Sequence, residues 1–374
     1  MKKSAARTHP GLMDFNVLIP VILLVLMGVW LVYDSSFAKT VEAEWTNNDS
    51  WFYAKKQFVF AVIGILAMLI ASRIPVSALQ KISTPLLLLS IASLILLYAF
   101  GTEVNGAMRW YKLGPMTLQP SEIAKLAIVI YLAGFFSQGK KILKKIDSQW
   151  TWPAIAVLLI VGLIFKQPDM GTALAIIATC IAIWIAAGGR KRHILLVVLI
   201  LIMSVAVGIK AAPYRFDRVQ VWLNPWEYRY DDGYQVVHSL IALGRGGVIG
   251  TGLCEGREKL YLPATSTDFI FSTVGEETGL IGSLIVLTLF MFFIYAGLRV
   301  ARRAQSIYGS LLAVGITAMI GIQACINVAV VSALIPATGV TLPFVSYGGS
   351  SLIITLAGVG VLLSVSRTAS ESRK

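Results

Sequence analysis

Charge is scarce in this chain: 14% of its 374 residues are Asp, Glu, Lys or Arg, against about 25% in soluble domains. With 57% hydrophobic residues and a mean hydropathy of +0.77, that shortage excludes a soluble globular protein. Cysteine is nearly absent. Cys180, Cys254 and Cys325 show no metal-ligand spacing, and two of them fall inside apolar runs, so neither a disulfide framework nor a metal site is implied. There is no phosphate-cradling P-loop and no dinucleotide fingerprint in a βαβ setting, which leaves the energy of any reaction to reside in the substrate. Internal repeats, low-complexity tracts and an aqueous interval long enough for a separate domain are missing too.

Acidic residues are the scarcer sign, 19 against 32 basic ones for a net charge of +13. A basic excess can signal nucleic acid, but these residues sit in short clusters at the ends of apolar runs without a stacking pattern. Membrane topology accounts for them, and no nucleic-acid partner is expected.

What the chain has in abundance is long apolar runs, at roughly 15–33, 57–72, 84–100, 121–136, 153–166, 171–188, 194–209, 268–298, 309–335 and 350–366. They predict an all-α polytopic membrane protein of about ten helices, folded as a single membrane domain over 1–374. Lys2, Lys3 and Arg7 before the first run superficially resemble a signal peptide, but the length of the run and the spans that follow favour an uncleaved first helix. An even number of spans puts both ends on one side, together with Lys140-Lys141, Lys144-Lys145, Arg190 to Arg192, Arg299 and Arg302-Arg303. By the positive-inside rule that side is cytoplasmic, making 1–14 and 367–374 cytoplasmic tails and 210–267 a large extracytoplasmic loop.

The unusual polar residues then face outward. Asp268 stands where an apolar stretch begins, and a carboxylate there is expensive enough to suggest function. Read helically from Asp268, Glu276 lies about 12 Å deeper and roughly 80° round the axis, with Glu277 turned away. The plain alternative makes Asp268 a helix cap or an arginine partner. Pro120 suits a first helical turn, and Glu122 and Lys125 then share a face, as an isolated ion pair or as part of a site. Arg109-Trp110 is a site element or an interface anchor. Gln167-Pro168-Asp169 reads as a capped tight turn. Gln323 and Asn327, four apart, read as interhelical hydrogen bonders. The segment from Ile335 to Ser351 breaks helix twice and exposes backbone donors around Ser346, Tyr347 and Gly348, as broken membrane segments do where they line a cavity. Carboxylates, cations and free amides together suit an anionic lipid headgroup and a moving proton.

In order along the chain, Gly106 to Trp110, Gln119 to Leu126, Gln167 to Thr172, Asn224-Pro-Trp226, Gly233-Tyr-Gln235, Ser239 to Gly244, Tyr261-Leu-Pro263, Thr267 to Phe271, Glu276 to Gly279 and Leu342 to Ser351 resemble the shape, elongation, division and sporulation (SEDS) family of bacterial membrane proteins. The resemblance covers nearly the whole chain. It implies a peptidoglycan glycosyltransferase that joins lipid II units outside the cytoplasmic membrane, with Asp268 as the residue essential for polymerisation. It also implies a class B penicillin-binding protein, the crosslinking transpeptidase, as a partner, with other division proteins beside it. As substrate-binding residues we expect Arg109, Gln119, Glu122, Lys125, Arg218, Gln235, Lys259, Ser346, Tyr347 and Gly348, the cations among them facing the departing pyrophosphate. No cofactor is required by the motifs, and a need for a divalent cation, Mg or Mn, stays open. Strings such as Val274 to Glu277 and Gly339 to Pro343 look more like the division and sporulation branches than the elongation branch, which points to the septum. Departures from the family pattern are Ser266, where many members have histidine, Met108 and Thr278. Rival functions are a lipid II flippase and a scaffold that only recruits the crosslinking enzyme.

Overall fold

The computed structural model describes residues 13–41, 44–104, 107–114, 116–138, 151–189 and 213–370. The basic clusters at 140–145 and 190–192, the apolar run at 194–209, Gly106 of the motif at 106–110, and residues 1–12 and 371–374 of the predicted tails lie outside them. The helices are α1 (Phe15–Val41), α2 (Phe52–Ala71), α3 (Val76–Phe100), α4 (Pro120–Phe136), α5 (Thr151–Lys166), α6 (Met170–Ala186), α7 (Pro213–Leu223), α8 (Tyr234–Gly246), α9 (Ile270–Arg303), α10 (Ile307–Val331) and α11 (Gly349–Ser370). The other nine apolar runs each fall on one of these helices, with ends that differ by up to eight residues, as where α1 runs on to Val41 and α3 begins at Val76. Six, α1, α2, α3, α9, α10 and α11, are long and apolar enough to cross a membrane, and α5 and α6 are shorter apolar helices. The chain is a multi-pass membrane protein.

Without water between helices, close packing of small residues replaces the hydrophobic drive. On α11, a side chain at Gly360 would run into the Met68 carbonyl of α2, so glycine allows the two backbones to touch. Of the six long spans α10 and α11 are the best buried, whereas α2, α3 and α9 turn residues such as Phe58, Leu88 and Leu284 outward. Between α3 and α4 runs a small antiparallel sheet of β1 (Thr102–Val104), β2 (Ala107–Leu113) and β3 (Met116–Leu118), in the order β1-β2-β3. It marks one end of the bundle. The long connection after residue 209 is structured where it is described, by the amphipathic helices α7 and α8.

Helix α9 departs from the sequence reading in two ways. It begins at Ile270, so Asp268 precedes it, and it is broken at Gly279, whose φ of 64° and ψ of −160° are not helical. The stretch from Leu280 to Arg303, about 36 Å at 1.5 Å per residue, is enough to cross a bilayer core of about 30 Å by itself. Glu276 and Glu277 therefore sit at the head of the crossing segment instead of a further turn inside it. The backbone groups freed by the break are not left bare. Leu280 and Ile281 donate to the carbonyls of Gly247 and Val248, and Thr251 and Gly252 donate to those of Glu276 and Glu277, at 2.9 to 3.2 Å. A side chain at Gly279 would meet the Gly250 nitrogen in a left-handed conformation that already disfavours one. Gly279→Ala is expected to destabilise the protein by about 1–3 kcal/mol, read as a lower thermal midpoint in detergent; an unchanged midpoint would show that the break is not obligatory.

Candidate active site

Asp268 closes the turn that follows the strap Leu262–Thr265, and main-chain contacts fix it there. Asn327 Nδ2 donates to the Asp268 carbonyl and to that of Val340, both at 2.7 Å. Ser346 Oγ donates to Thr267 O at 2.6 Å, and the Tyr347 amide donates to Ser266 O at 2.8 Å. The strap is pinned from α1: Lys39 Nζ donates to the carbonyls of Leu262 (2.6 Å) and Pro263 (2.9 Å) and to Thr265 Oγ1 (3.1 Å). Ser346 and the Tyr347 backbone thus position the aspartate, and Gly348 stands just before the first turn of α11.

The side chain of Asp268 is not a helix cap. The N-cap position of α9 is Phe269, with no side-chain cap bond, and among the described residues no hydrogen bond or ion pair engages the Asp268 carboxylate. It lies over Gly339, where a Cβ atom would come 3.5 Å from Oδ2, half-buried with one side open to solvent. Burial pushes this carboxyl up to about 6, the negative charge of Asp169 adds to the rise, and the guanidiniums of Arg109 and Arg218 oppose it. A carboxylate with that environment is poised to accept a proton near neutral pH.

Its neighbours come from three elements. Asp169 caps α6, accepting from the Thr172 amide at 3.1 Å, as the turn reading expected; no spacing signals that the charge of this carboxylate also acts on Asp268. Burial raises the Asp169 carboxyl against the pull of Arg109. Arg109, on β2, spends Nε on Gln167 O (2.9 Å) and Nη2 on Pro168 O (2.6 Å). Gln119 Nε2 reaches Asp169 Oδ2 at 3.5 Å. Arg218, on α7, is exposed and donates once, to Ala337 O at 2.9 Å.

Other candidates are committed elsewhere in the fold. Lys125 and Glu122 form a buried ion pair at 2.8 Å, and Lys125 also donates to Gln323 Oε1 at 2.6 Å. Ser351 Oγ donates to Glu122 Oε2 at 3.1 Å. Glu122, Lys125 and Gln323, with Gln119, Thr172 and Gly339, line a polar void of about 30 Å³, room for about one water molecule. Lys259 is wedged between Asp34 of α1 and Glu277 of α9, 2.6 Å from the latter; burial works against its charge, but the two carboxylates outweigh it and raise its pKa. Glu276 accepts from the amides of Arg257 (2.8 Å) and Glu258 (3.1 Å). Gln235 lies apart from these, with Arg218, in a cavity of about 590 Å³ between α7 and α8.

The sequence reading missed Asp34, Lys39 and the Asp169–Asp268 pairing. The first two had a signal, charges at the end of an otherwise apolar first span. The third had none, because residues 169 and 268 meet only through tertiary packing.

Residues 15–371 match the family model of the FtsW, RodA and SpoVE cell cycle proteins. The chain is 40% identical over 358 residues to the stage V sporulation protein E of Bacillus subtilis, covering 95% of this chain and 97% of that one. It is 38% identical over 356 residues to a probable peptidoglycan glycosyltransferase FtsW of Geobacter metallireducens, covering 94% of each. Among solved structures it resembles a chain of a peptidoglycan synthase complex that coordinates polymerization and crosslinking, with a TM-score of 0.80, 30% identity and coverage of 96% and 98%. It also resembles the rod shape determining protein RodA of Thermus thermophilus, with a TM-score of 0.69, 27% identity and coverage of 95% and 97%.

Proposed function

We propose that this chain, which belongs to the FtsW, RodA and SpoVE family of cell cycle proteins, is a peptidoglycan glycosyltransferase that polymerises lipid II at the outer face of the bacterial cytoplasmic membrane. The observation that carries the reading is the half-buried carboxylate of Asp268, unpaired among the described residues and set within the field of two guanidiniums. In the reaction, Asp268 takes the proton from the 4-hydroxyl of an acceptor GlcNAc as that oxygen bonds to the anomeric carbon of the donor sugar. The bond from that carbon to the pyrophosphate oxygen breaks, and undecaprenyl pyrophosphate leaves with the electron pair. Arg109 and Arg218 face the negative charge that grows on the leaving group, where preorganised cations are most effective. Lys125 and Lys259, neutralised within the fold, act by shaping the cavity.

Among the described residues no three His, Cys, Asp or Glu side chains gather as a metal site, and no step is assigned to a divalent cation. The proposed orientation is supported by the basic end of α9, with Arg299, Arg302 and Arg303, which lies at the far end of the helix that Asp268 precedes. Its relatives among division and sporulation proteins support a role at the septum, and the similar synthase complex supports a crosslinking transpeptidase as partner. The deciding experiment supplies lipid II in detergent to the full chain with that transpeptidase. A ladder of glycan products is expected; lipid II transferred between leaflets of a vesicle without any ladder would replace this reading by a flippase.

A further inference from the structure

The cavity between α7 and α8 has a composition unlike the rest of the site. Its volume, about 590 Å³, falls in the ~300–1,000 Å³ range of pockets that enclose a drug-sized ligand, the size class of a disaccharide. Trp222, Tyr230 and Tyr234 contribute ring surface, while Asp231, Asp232 and Gln235 contribute hydrogen-bonding groups. Trp222 is held in place by its indole N–H on Ala333 O at 2.9 Å. The rim from Asn224 to Tyr234 is a chain of hydrogen-bonded turns, with Glu227 donating to Asn224 O, Gly233 to Tyr228 O and Tyr234 to Asp231 O, at 3.0 to 3.1 Å. The pocket is therefore built, not a gap between loose segments.

Charge decides what it can hold. Two carboxylates face one guanidinium, and that guanidinium already donates to Ala337 O. A pyrophosphate placed here would meet net repulsion, whereas hydroxyl and acetamide groups would find acceptors, and the C–H face of a pyranose would find aromatic rings. Position decides when it is used. Pro263, from the strap before Asp268, and Ile335 and Ala337, from the segment that leads to Gly339, form its wall. Arg218 both lines the cavity and acts on the Asp268 carboxyl. We propose that this cavity is a saccharide subsite that holds an uncharged N-acetylhexosamine stretch of the glycan next to the reacting carboxylate, with the phosphates kept outside it. The proposal rests on the glycosyltransferase reading and deepens it.

The test uses the full-length chain with its transpeptidase in detergent and an uncharged β-1,4-linked GlcNAc tetrasaccharide as probe, followed by ligand-observed NMR. Saturable binding is expected to the parent protein and to Asp268→Asn, weakened at least about 10-fold in Tyr230→Ala/Asp232→Asn and restored in Tyr230→Phe. Inorganic pyrophosphate should not compete. With lipid II as substrate, the double variant is expected to make glycans several-fold shorter if the growing strand occupies the cavity, or to show a raised KM for lipid II if the acceptor does. Absent tetrasaccharide binding, binding untouched by the double variant, or displacement by pyrophosphate or by free stem peptide would each overturn the subsite. Tetrasaccharide binding with no polymerisation of lipid II would leave the subsite standing and remove the enzymatic reading instead.

Discussion

Asp268→Asn is expected to lower lipid II polymerisation by about 10²–10⁴-fold, the contribution of a positioned general base, and to raise thermal stability at neutral pH. Both effects have one cause. The folded protein holds this carboxyl at about 6, whereas in an unfolded chain it titrates near 4. Ionised Asp268 therefore opposes folding: the cost is absent below about pH 4, grows as pH rises to about 6 and is complete above it. Asparagine carries no charge at any pH. Its stability gain should accordingly be present at pH 7.5 and vanish towards pH 4, read as the difference in thermal midpoint between the two proteins. For the same reason the parent enzyme's rate should climb through about pH 6 and then level off. An Asp268→Asn protein that polymerises at the parent rate would remove the general base from the reaction.

The second large effect is expected at Lys259. Removing one partner from a buried ion pair leaves the other charge uncompensated and costs about 3–5 kcal/mol. Lys259→Met would leave Asp34 and Glu277 facing each other, with Asp34 Oδ2 already lacking a hydrogen-bond partner. Loss of the folded protein during detergent extraction is the expected outcome. The triple variant Asp34→Asn/Lys259→Met/Glu277→Gln, which removes the charges together, should recover both folding and polymerisation. Recovery of folding without polymerisation would return Lys259 to the substrate, where the sequence alone had placed it.

How far each feature was legible follows from the range of the interaction that sets it. Hydropathy is local, so the spans could be read from composition, and the Asp169 cap of α6 could be read from a turn of three residues. Glycine within an apolar run has two meanings, packing and breakage, and nothing near Gly279 distinguishes them; the break is decided by the Gly247–Gly252 segment that repairs its hydrogen bonds. The cations were the hardest to assign. Lys125 has its carboxylate three residues away, and the ion pair was one of two open readings. Lys259 finds Asp34 225 residues away, a pairing no spacing predicts. Motif resemblance singled out Asp268, but the two arginines whose charge acts on it were separated from the two neutralised lysines only by the fold.

The scaffold grips the Ser266–Asp268 turn by its carbonyl oxygens: Tyr347 holds residue 266, Ser346 holds 267 and Asn327 holds 268. Carbonyls are the same whatever the side chain, so the placement of the aspartate is insulated from mutation at the positions before it. This gives a route by which serine can occupy position 266, where many members carry histidine, without moving the carboxylate. Evolution is free to vary the chemistry beside the base while its coordinates are inherited from the backbone.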